Sequence, residues 1–179
     1  ARWVMAALTG GWAALFAASF SKGELCLRCN TLKNTPEEWS AALEDGGATV
    51  RPGQLPSSLY ATIPGGVAAE PLFAKGRYHV QGEASQYVCA NVEAQRGQQV
   101  LDLCAAPGGK TATLAQAMDG GQGLTSCHVR EPRLALLQET MQPLSLPDLA
   151  VRQHDAAVYR VDLEGQDRLL VNVPCRGLG

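Results

Sequence analysis

The pattern of hydrophobic and polar positions divides the chain into three segments. Residues 25–75 predict a small α/β unit, with a strand at 25–30, a helix opened by Thr35-Pro36 and ended by Gly46-Gly47, and extended segments near Val50 and Tyr60. Residues 76–179 alternate short apolar runs with helical patterns, which is typical of a parallel sheet. We expect its strands at 100–103, 123–129, 149–154 and 167–173 and its helices at 83–94, 109–118 and 132–141.

The first segment, residues 1–24, is unusually poor in charge. Trp3 to Phe20 contains no charged residue, but it is mostly small residues and Gly10-Gly11 interrupts it. Its hydrophobicity is too low for a transmembrane helix. We expect a helical linker made of two short helices, and no membrane association. The chain lacks an initiator Met and ends abruptly, which suggests a piece of a longer protein.

Composition indicates a folded globular protein, since 46% of the residues are hydrophobic and 18% are charged. The net charge of −2 gives no overall basic field of the kind expected of a stand-alone RNA-binding protein. A local basic groove is still compatible with this balance, because the first half contains several basic residues, among them Lys22, Arg28, Lys33, Arg51, Lys75 and Arg77.

The six cysteines are scattered and no signal peptide is apparent, so we expect a cytoplasmic protein without a disulfide framework. The spacing of Cys26 and Cys29 would suit zinc, but no second ligand pair follows it. The alternating pattern around these cysteines favours a buried strand, and we expect no metal site.

Residues 101–111 carry the most specific signal in the chain. An apolar strand runs into a turn containing Pro107, Gly108 and Gly109, and a helix follows. Glycines let a backbone approach a ligand closely, and the free N–H groups of a new helix favour negative or polar ligand groups. This arrangement holds a nucleotide-like cofactor at the first strand–helix turn of doubly wound α/β domains.

Two classes of ligand would suit such a turn. A phosphate-binding P-loop requires G-x-x-x-x-G-K-[ST], and Gly109-Lys110-Thr111 fits its end. Cys104, however, occupies the position of the first glycine, and the later strand leads to Asn172 instead of a magnesium-binding Asp. The P-loop interpretation is therefore disfavoured.

The second class follows from a resemblance carried by several motifs. Residues 104–111 resemble the cofactor loop of the Sun-type (RsmB-like) RNA cytosine-5 methyltransferases, which use S-adenosylmethionine. Residues 167–179 resemble that family's Asp-x-Pro-Cys-Ser-Gly-x-Gly motif, residues 78–85 its Gln-Asp-x-Ala-Ser motif, and residues 27–33 its Leu-Arg-Val-Asn-Thr-Leu-Lys motif. Arg2-Trp3-Val4 resembles the linker of the bacterial enzymes that act on small-subunit ribosomal RNA.

The resemblance implies an α/β fold with a Rossmann-like methyltransferase sheet. Residues 76–179 would form an incomplete S-adenosylmethionine-binding domain with the first four strands, residues 25–75 a small RNA-binding unit, and residues 1–24 the helical linker. About three further strands would follow residue 179, which makes a missing C-terminal part of the same protein a possible partner. The implied substrate is RNA, most of all small-subunit ribosomal RNA.

The resemblance also assigns the site residues. Those implied to bind the cofactor are Cys104, Ala105, Ala106, Pro107, Gly108, Gly109, Lys110, His128, Arg133, Asp155 and Asn172. Methylation of cytosine at C5 requires a cysteine thiolate that adds to C6. Cys175 matches the family cysteine that assists product release, while the usual Thr-Cys nucleophile would lie beyond residue 179. Cys175 could alternatively substitute as the nucleophile.

Three positions depart from the family pattern. His128 replaces the acidic residue that grips the ribose hydroxyls, and Asn172 replaces the catalytic acidic residue that orients the cytosine amino group. Arg176 replaces a small serine. Asp102 is expected to position the loop more than to touch substrate. These departures suggest a truncated or weakened enzyme, or alternatively a non-catalytic RNA-binding or ribosome-assembly protein derived from a methyltransferase.

Overall fold

Two four-stranded sheets organise residues 25–173 in the computed structural model, which describes residues 24–146 and 149–173. The predicted linker helices at residues 1–23 lie outside the described residues, and so do Cys175 and Arg176. Within the described ranges, no helix combines the length and the apolar character needed to cross a membrane.

The first sheet is antiparallel and has the strand order β2-β3-β1-β4. Its strands are β1 (Leu25–Cys29), β2 (Thr49–Pro52), β3 (Ser58–Thr62) and β4 (Tyr78–Val80). Its helices are α1 (Pro36–Asp45), α2 (Pro71–Ala74) and a 3-10 turn at Val67–Ala69. The fourth strand lies just beyond the predicted boundary at residue 75, because β4 pairs with β1 and not with the parallel sheet.

The sequence determines where α1 begins and how it packs. The Thr35 hydroxyl accepts the Glu38 N–H, and the Glu38 carboxylate accepts the Thr35 N–H, which forms a capping box with Pro36 in the first turn. Trp39 and Leu43 of α1 are 1% exposed and pack in the core of the antiparallel sheet. The predicted helix start and its end at Gly46 are confirmed.

The second sheet is parallel throughout and has the strand order β7-β6-β5-β8. Its strands are β5 (Val100–Asp102), β6 (Leu124–His128), β7 (Ala150–Gln153) and β8 (Arg168–Leu170). Helix α3 (Glu83–Ala90) precedes the sheet, and the strands are connected by α4 (Gly109–Ala117), α5 (Glu131–Met141) and a 3-10 turn at Val161–Leu163. The chain therefore moves outwards from β5 to β7 and then returns to the other side of β5.

The predicted α/β class and parallel sheet are confirmed, and two elements are shorter than predicted by three residues or more. The helix predicted at 83–94 ends at Ala90, since Asn91 caps it and Glu93 takes a positive φ of 53°. The strand predicted at 167–173 is limited to Arg168–Leu170, the residues that pair with β5. Helix boundaries and strand ends depend on such local contacts more than on hydrophobic pattern.

The core of the parallel sheet is centred on α4. Every residue from Thr111 to Gln116 is buried, so this helix has no solvent-facing side in its middle turns. Leu134, Leu137 and Met141 of α5 are buried too, and they form the inner face of that helix. On the far side, β8 pairs with β5, and its Leu169 is 54% exposed.

The two N-terminal cysteines belong to a buried strand. Cys26 and Cys29 are both buried in β1, three residues apart, and side chains with that spacing lie on opposite faces of a strand. Cys29 Sγ accepts the Asn34 Nδ2–H at 3.0 Å, and Cys26 contacts the Ser58 hydroxyl. The buried-strand interpretation is confirmed.

Candidate active site

The carboxyl ends of the four parallel strands meet at one edge of the sheet. β5 ends at Asp102, β6 at His128, β7 at Gln153 and β8 at Leu170. The chain adds β6 and β7 on one side of β5 and then crosses over to add β8 on the other side. The turn after β5 therefore lies at the topological switch point, where ligands bind in open α/β sheets. This edge therefore brings together the turn and three other predicted site residues, which are His128, Asp155 and Asn172.

Hydrogen bonds to both neighbouring strands hold the start of the turn. The Leu103 N–H donates to the Leu170 carbonyl of β8 at 3.0 Å, and the Ala105 N–H donates to the Cys127 carbonyl of β6 at 2.9 Å. Cys104 between them is partly exposed. The backbone from 103 to 105 is therefore a continuation of the sheet, and only the residues after it are free to form the turn.

Asp102 joins the two ends of the turn. Its carboxylate accepts the Thr111 hydroxyl at 2.9 Å and the Cys104 N–H at 3.3 Å, and the side chain is 1% exposed. Burial raises the pKa of Asp102 to about 6, against the opposing effect of the Thr111 hydrogen bond. Asp102 thus holds the strand end against the helix start, which is the positioning role that the sequence predicted.

The two glycines of the turn have different structural requirements. Gly108 has φ of +119°, and a Cβ at that position would lie 2.8 Å from Met141 Cε. At Gly109 the nearest atom to such a Cβ would be Gln81 Nε2, at 3.8 Å, which is ordinary contact. Backbone conformation therefore requires glycine at 108, whereas the fold alone would accept alanine at 109.

The first turn of α4 carries N–H groups that have no acceptor within the helix. An α-helix leaves its first N–H groups without partners inside the helix, and Gly108 at the N-cap position supplies no side-chain acceptor. The Ala112 N–H, which donates to the Gly108 carbonyl at 2.8 Å, is the first that the helix itself satisfies. Partial positive charge at such a helix start favours an anionic or polar ligand group. Lys110 is partly exposed beside it.

His128 lies at the end of β6 with one ring nitrogen occupied. Its Nδ1 accepts the Arg130 N–H at 3.0 Å, so in the neutral ring Nε2 carries the proton. The side chain can then offer one hydrogen-bond donor to a ligand, where a carboxylate would offer two acceptors. Arg133, in the first turns of α5, is exposed.

Asp155 and Asn172 follow the ends of the two outer strands. The His154 N–H donates to the His128 carbonyl at 3.1 Å, which extends the β6–β7 pairing as far as the residue before Asp155. The Asp155 carboxylate accepts the Ala157 N–H at 3.0 Å and is exposed. Next to it, a cavity of about 300 Å³ is lined by Arg152, Gln153, His154, Arg160, Asp162 and Leu163. Asn172, two residues past β8, is exposed.

Two contacts of the turn were not anticipated from the sequence. Met141 of α5 packs against Gly108, and Gln81, just after β4, lies beside Gly109 and bonds to Thr113. The periodicity of a helix shows which residues face the core, but it does not show which loop a residue such as Met141 contacts. Gln81 falls within a motif noted in the sequence, yet the pairing of β4 with β1 was needed to place it near the turn.

Comparison with known proteins identifies the family. Residues 89–179, about half of the chain, match the family described as 16S rRNA methyltransferase RsmB/F. The chain belongs to this family. It is 33% identical over 171 residues to the ribosomal RNA small subunit methyltransferase B of Vibrio cholerae, covering 94% of this chain and 39% of that protein. It is 30% identical over 155 residues to the probable ribosomal RNA small subunit methyltransferase B of Bacillus subtilis, covering 86% and 35%.

Solved structures of similar proteins support the fold. A methyltransferase homolog protein from Pyrococcus horikoshii superposes with a TM-score of 0.71 and 28% identity, over 82% of this chain and 48% of that one. NSun6 from the same organism gives a TM-score of 0.81 over 97% and 70%, at 17% identity, which speaks for the fold alone. The chain thus spans well under half the length of the RsmB/F relatives, and the Rossmann-like architecture expected from the sequence is confirmed.

Proposed function

We propose that this chain is the cofactor-binding part of an S-adenosylmethionine-dependent ribosomal RNA cytosine-5 methyltransferase. The observation that carries the proposal is the turn after β5. It lies at the switch point of a parallel sheet, Asp102 fixes both its ends, and it presents Gly109 and the first N–H groups of α4 at the ligand-binding edge. Membership of a methyltransferase family makes the methyl donor the natural ligand for that turn.

The proposed contacts with the methyl donor follow the order of the strands. The backbone of residues 104–110 holds its polar amino-acid end, since unpaired helix N–H groups favour such a group. His128 donates from Nε2 to a ribose hydroxyl, and Asp155 accepts from the adenine amino group. Arg133 and Asn172, whose side chains are exposed, are the remaining residues proposed to contact the methyl donor.

The proposed chemistry at cytosine requires a cysteine and a proton acceptor. A thiolate adds to C6 of the base, C5 then takes the methyl group, and loss of the C5 proton allows the enzyme to leave. The base must be unstacked to admit both groups to its face. Cys175 and Asn172 are the proposed catalytic residues, with Cys175 in product release or as a substitute nucleophile.

We propose small-subunit ribosomal RNA in the cytoplasm as the substrate, with residues 25–75 as the unit that contacts it. Lys33 donates from Nζ to the backbone carbonyls of Lys75 and Pro143, and Arg28 donates to the Gln86 side chain. The Arg51 guanidinium lies 3.9 Å from the centre of the Tyr60 ring. Much of the positive charge in this segment therefore takes part in contacts within the protein.

Calorimetric titration with S-adenosylmethionine tests the proposal, on a chain shown to be folded by circular dichroism. We expect saturable binding, with 5′-methylthioadenosine as a weaker ligand because it lacks the amino-acid end. Absence of binding at millimolar S-adenosylmethionine would contradict the proposal and leave the non-catalytic alternative. Transfer of labelled methyl groups to ribosomal RNA, with 5-methylcytidine as the product and loss of transfer in Cys175→Ser, would test the chemical step.

A further inference from the structure

A polar seam joins the antiparallel sheet to the first turn of α4. His79 and Gln81, two residues apart at the end of β4, are 6% and 5% exposed, and Thr113 of α4 is 3% exposed. Side chains two apart on a strand lie on the same face, so His79 and Gln81 face α4 together. Buried polar side chains are rare without a specific partner, and this group lies directly against the cofactor turn.

The contacts of Gln81 span one turn of helix. The Thr113 hydroxyl lies 2.8 Å from Gln81 Oε1, to which it donates, and 3.0 Å from the Gly109 carbonyl oxygen. Gln81 Nε2 is the nearest atom to the open side of Gly109. Since Gly109 and Thr113 are four residues apart and share a face of the helix, the Gln81 amide lies across both.

Contacts on the other side come from α5. A Cβ built on Gly108 would lie 2.8 Å from Met141 Cε and 3.7 Å from both Leu137 Cγ and Thr140 Cβ. The turn is therefore held from two directions, by apolar side chains at Gly108 and by the Gln81 amide at Gly109. Loss of the polar side would leave the helix start supported by α5 and by Asp102.

We propose that Gln81 is a positioning residue for the cofactor turn, acting through Thr113 to hold the first turn of α4 in its binding geometry. This inference rests on the proposed function, because it assumes that the turn binds the methyl donor. It makes the antiparallel sheet a structural part of the cofactor site. The Gln81 side chain is 5% exposed, so it acts on the turn through the Thr113 hydroxyl inside the protein.

The test compares Gln81→Leu, Thr113→Val, the double variant and Gln116→Leu as the matched control. Gln116 is a buried glutamine of the same helix whose side-chain atoms have no partner among the described residues, so its replacement leaves the turn untouched. Hydrogen exchange of the unliganded chain should show faster exchange for the amides of residues 110–114 in both single variants. The double variant should resemble either single variant, and the control should not exchange faster than wild type.

Ligand binding gives the second readout. Gln81→Leu should weaken S-adenosylmethionine binding by about fivefold, the effect of one net hydrogen bond. Binding of 5′-methylthioadenosine should be unchanged, because that ligand lacks the group that the turn holds. A general structural defect would weaken both ligands.

Two results would overturn the inference: exchange at 110–114 in Gln81→Leu no faster than in wild type, or equal weakening of both ligands. If the wild-type chain binds no S-adenosylmethionine, the proposed function fails, and the exchange comparison alone decides whether Gln81 holds the helix start.

Discussion

Replacement of each glycine of the turn by alanine separates what the fold requires from what the ligand requires. At Gly108 the backbone has φ of +119°, a conformation that costs an L-residue about 1–3 kcal/mol. The new methyl group would also lie 2.8 Å from Met141 Cε, although that flexible end can move. At Gly109 the closest contact is 3.8 Å, and alanine improves helix propensity.

The expected outcomes follow from these differences. Gly108→Ala should lower the melting temperature by about 5 °C, from a loss of about 2 kcal/mol in a chain of this size. Gly109→Ala should melt within about 2 °C of the wild-type temperature, because the fold loses nothing there. Both should weaken S-adenosylmethionine binding by at least about tenfold, in the first case because the turn shifts and in the second because the methyl group blocks the ligand's approach.

Differential scanning calorimetry and isothermal titration on the same preparations give both quantities. A wild-type melting temperature for Gly108→Ala would refute the argument from backbone conformation. Wild-type affinity in Gly109→Ala would refute the claim that the ligand approaches the backbone at this residue, even with the fold intact.

Three further predictions concern single side chains. Burial raises the pKa of Asp102 from 3.8 to about 6, so its contribution to stability is present below about pH 4 and is lost as the pH rises through about 6. Asp102→Asn should therefore be more stable than wild type by about 3 kcal/mol at pH 7 and not at pH 4, and equal differences at both pH values in urea unfolding would contradict this. Gln116→Leu should raise the free energy of unfolding by about 1 kcal/mol in the same assay, since it removes two buried polar atoms without partners, and a loss of stability would show that they are satisfied. His128→Asp should bind S-adenosylmethionine about tenfold more tightly, because a carboxylate can accept both the Arg130 N–H and a ribose hydroxyl; unchanged affinity in calorimetry would remove residue 128 from the ribose site.

The architecture of the parallel sheet was accessible from the sequence because it depends on local patterns. Alternating apolar runs and helices predict parallel strands, and the turn at residues 104–110 identifies which strand comes first at the ligand edge. Thr35 followed by Pro36 marked the start of α1, since a cap and a first-turn proline act within a few residues. These features require no knowledge of distant contacts.

Features that depend on distant contacts were not accessible. The fourth strand of the antiparallel sheet at Tyr78–Val80 falls past the expected boundary, because its pairing with β1 joins residues about fifty apart. The placement of Gln81 on the cofactor turn follows from that pairing. Likewise, the tautomer of His128 is set by the Arg130 N–H, a contact that residue types alone do not reveal.

The central claim is that the turn at residues 104–110 binds the methyl donor. An NMR titration of the isotope-labelled chain with S-adenosylmethionine tests it directly, through the backbone amide shifts. The account predicts that the largest changes fall on residues 104–110 and on His128, with the antiparallel sheet nearly unaffected except near Gln81. Saturable binding with its largest shifts elsewhere in the chain, or no shifts at all, would contradict it.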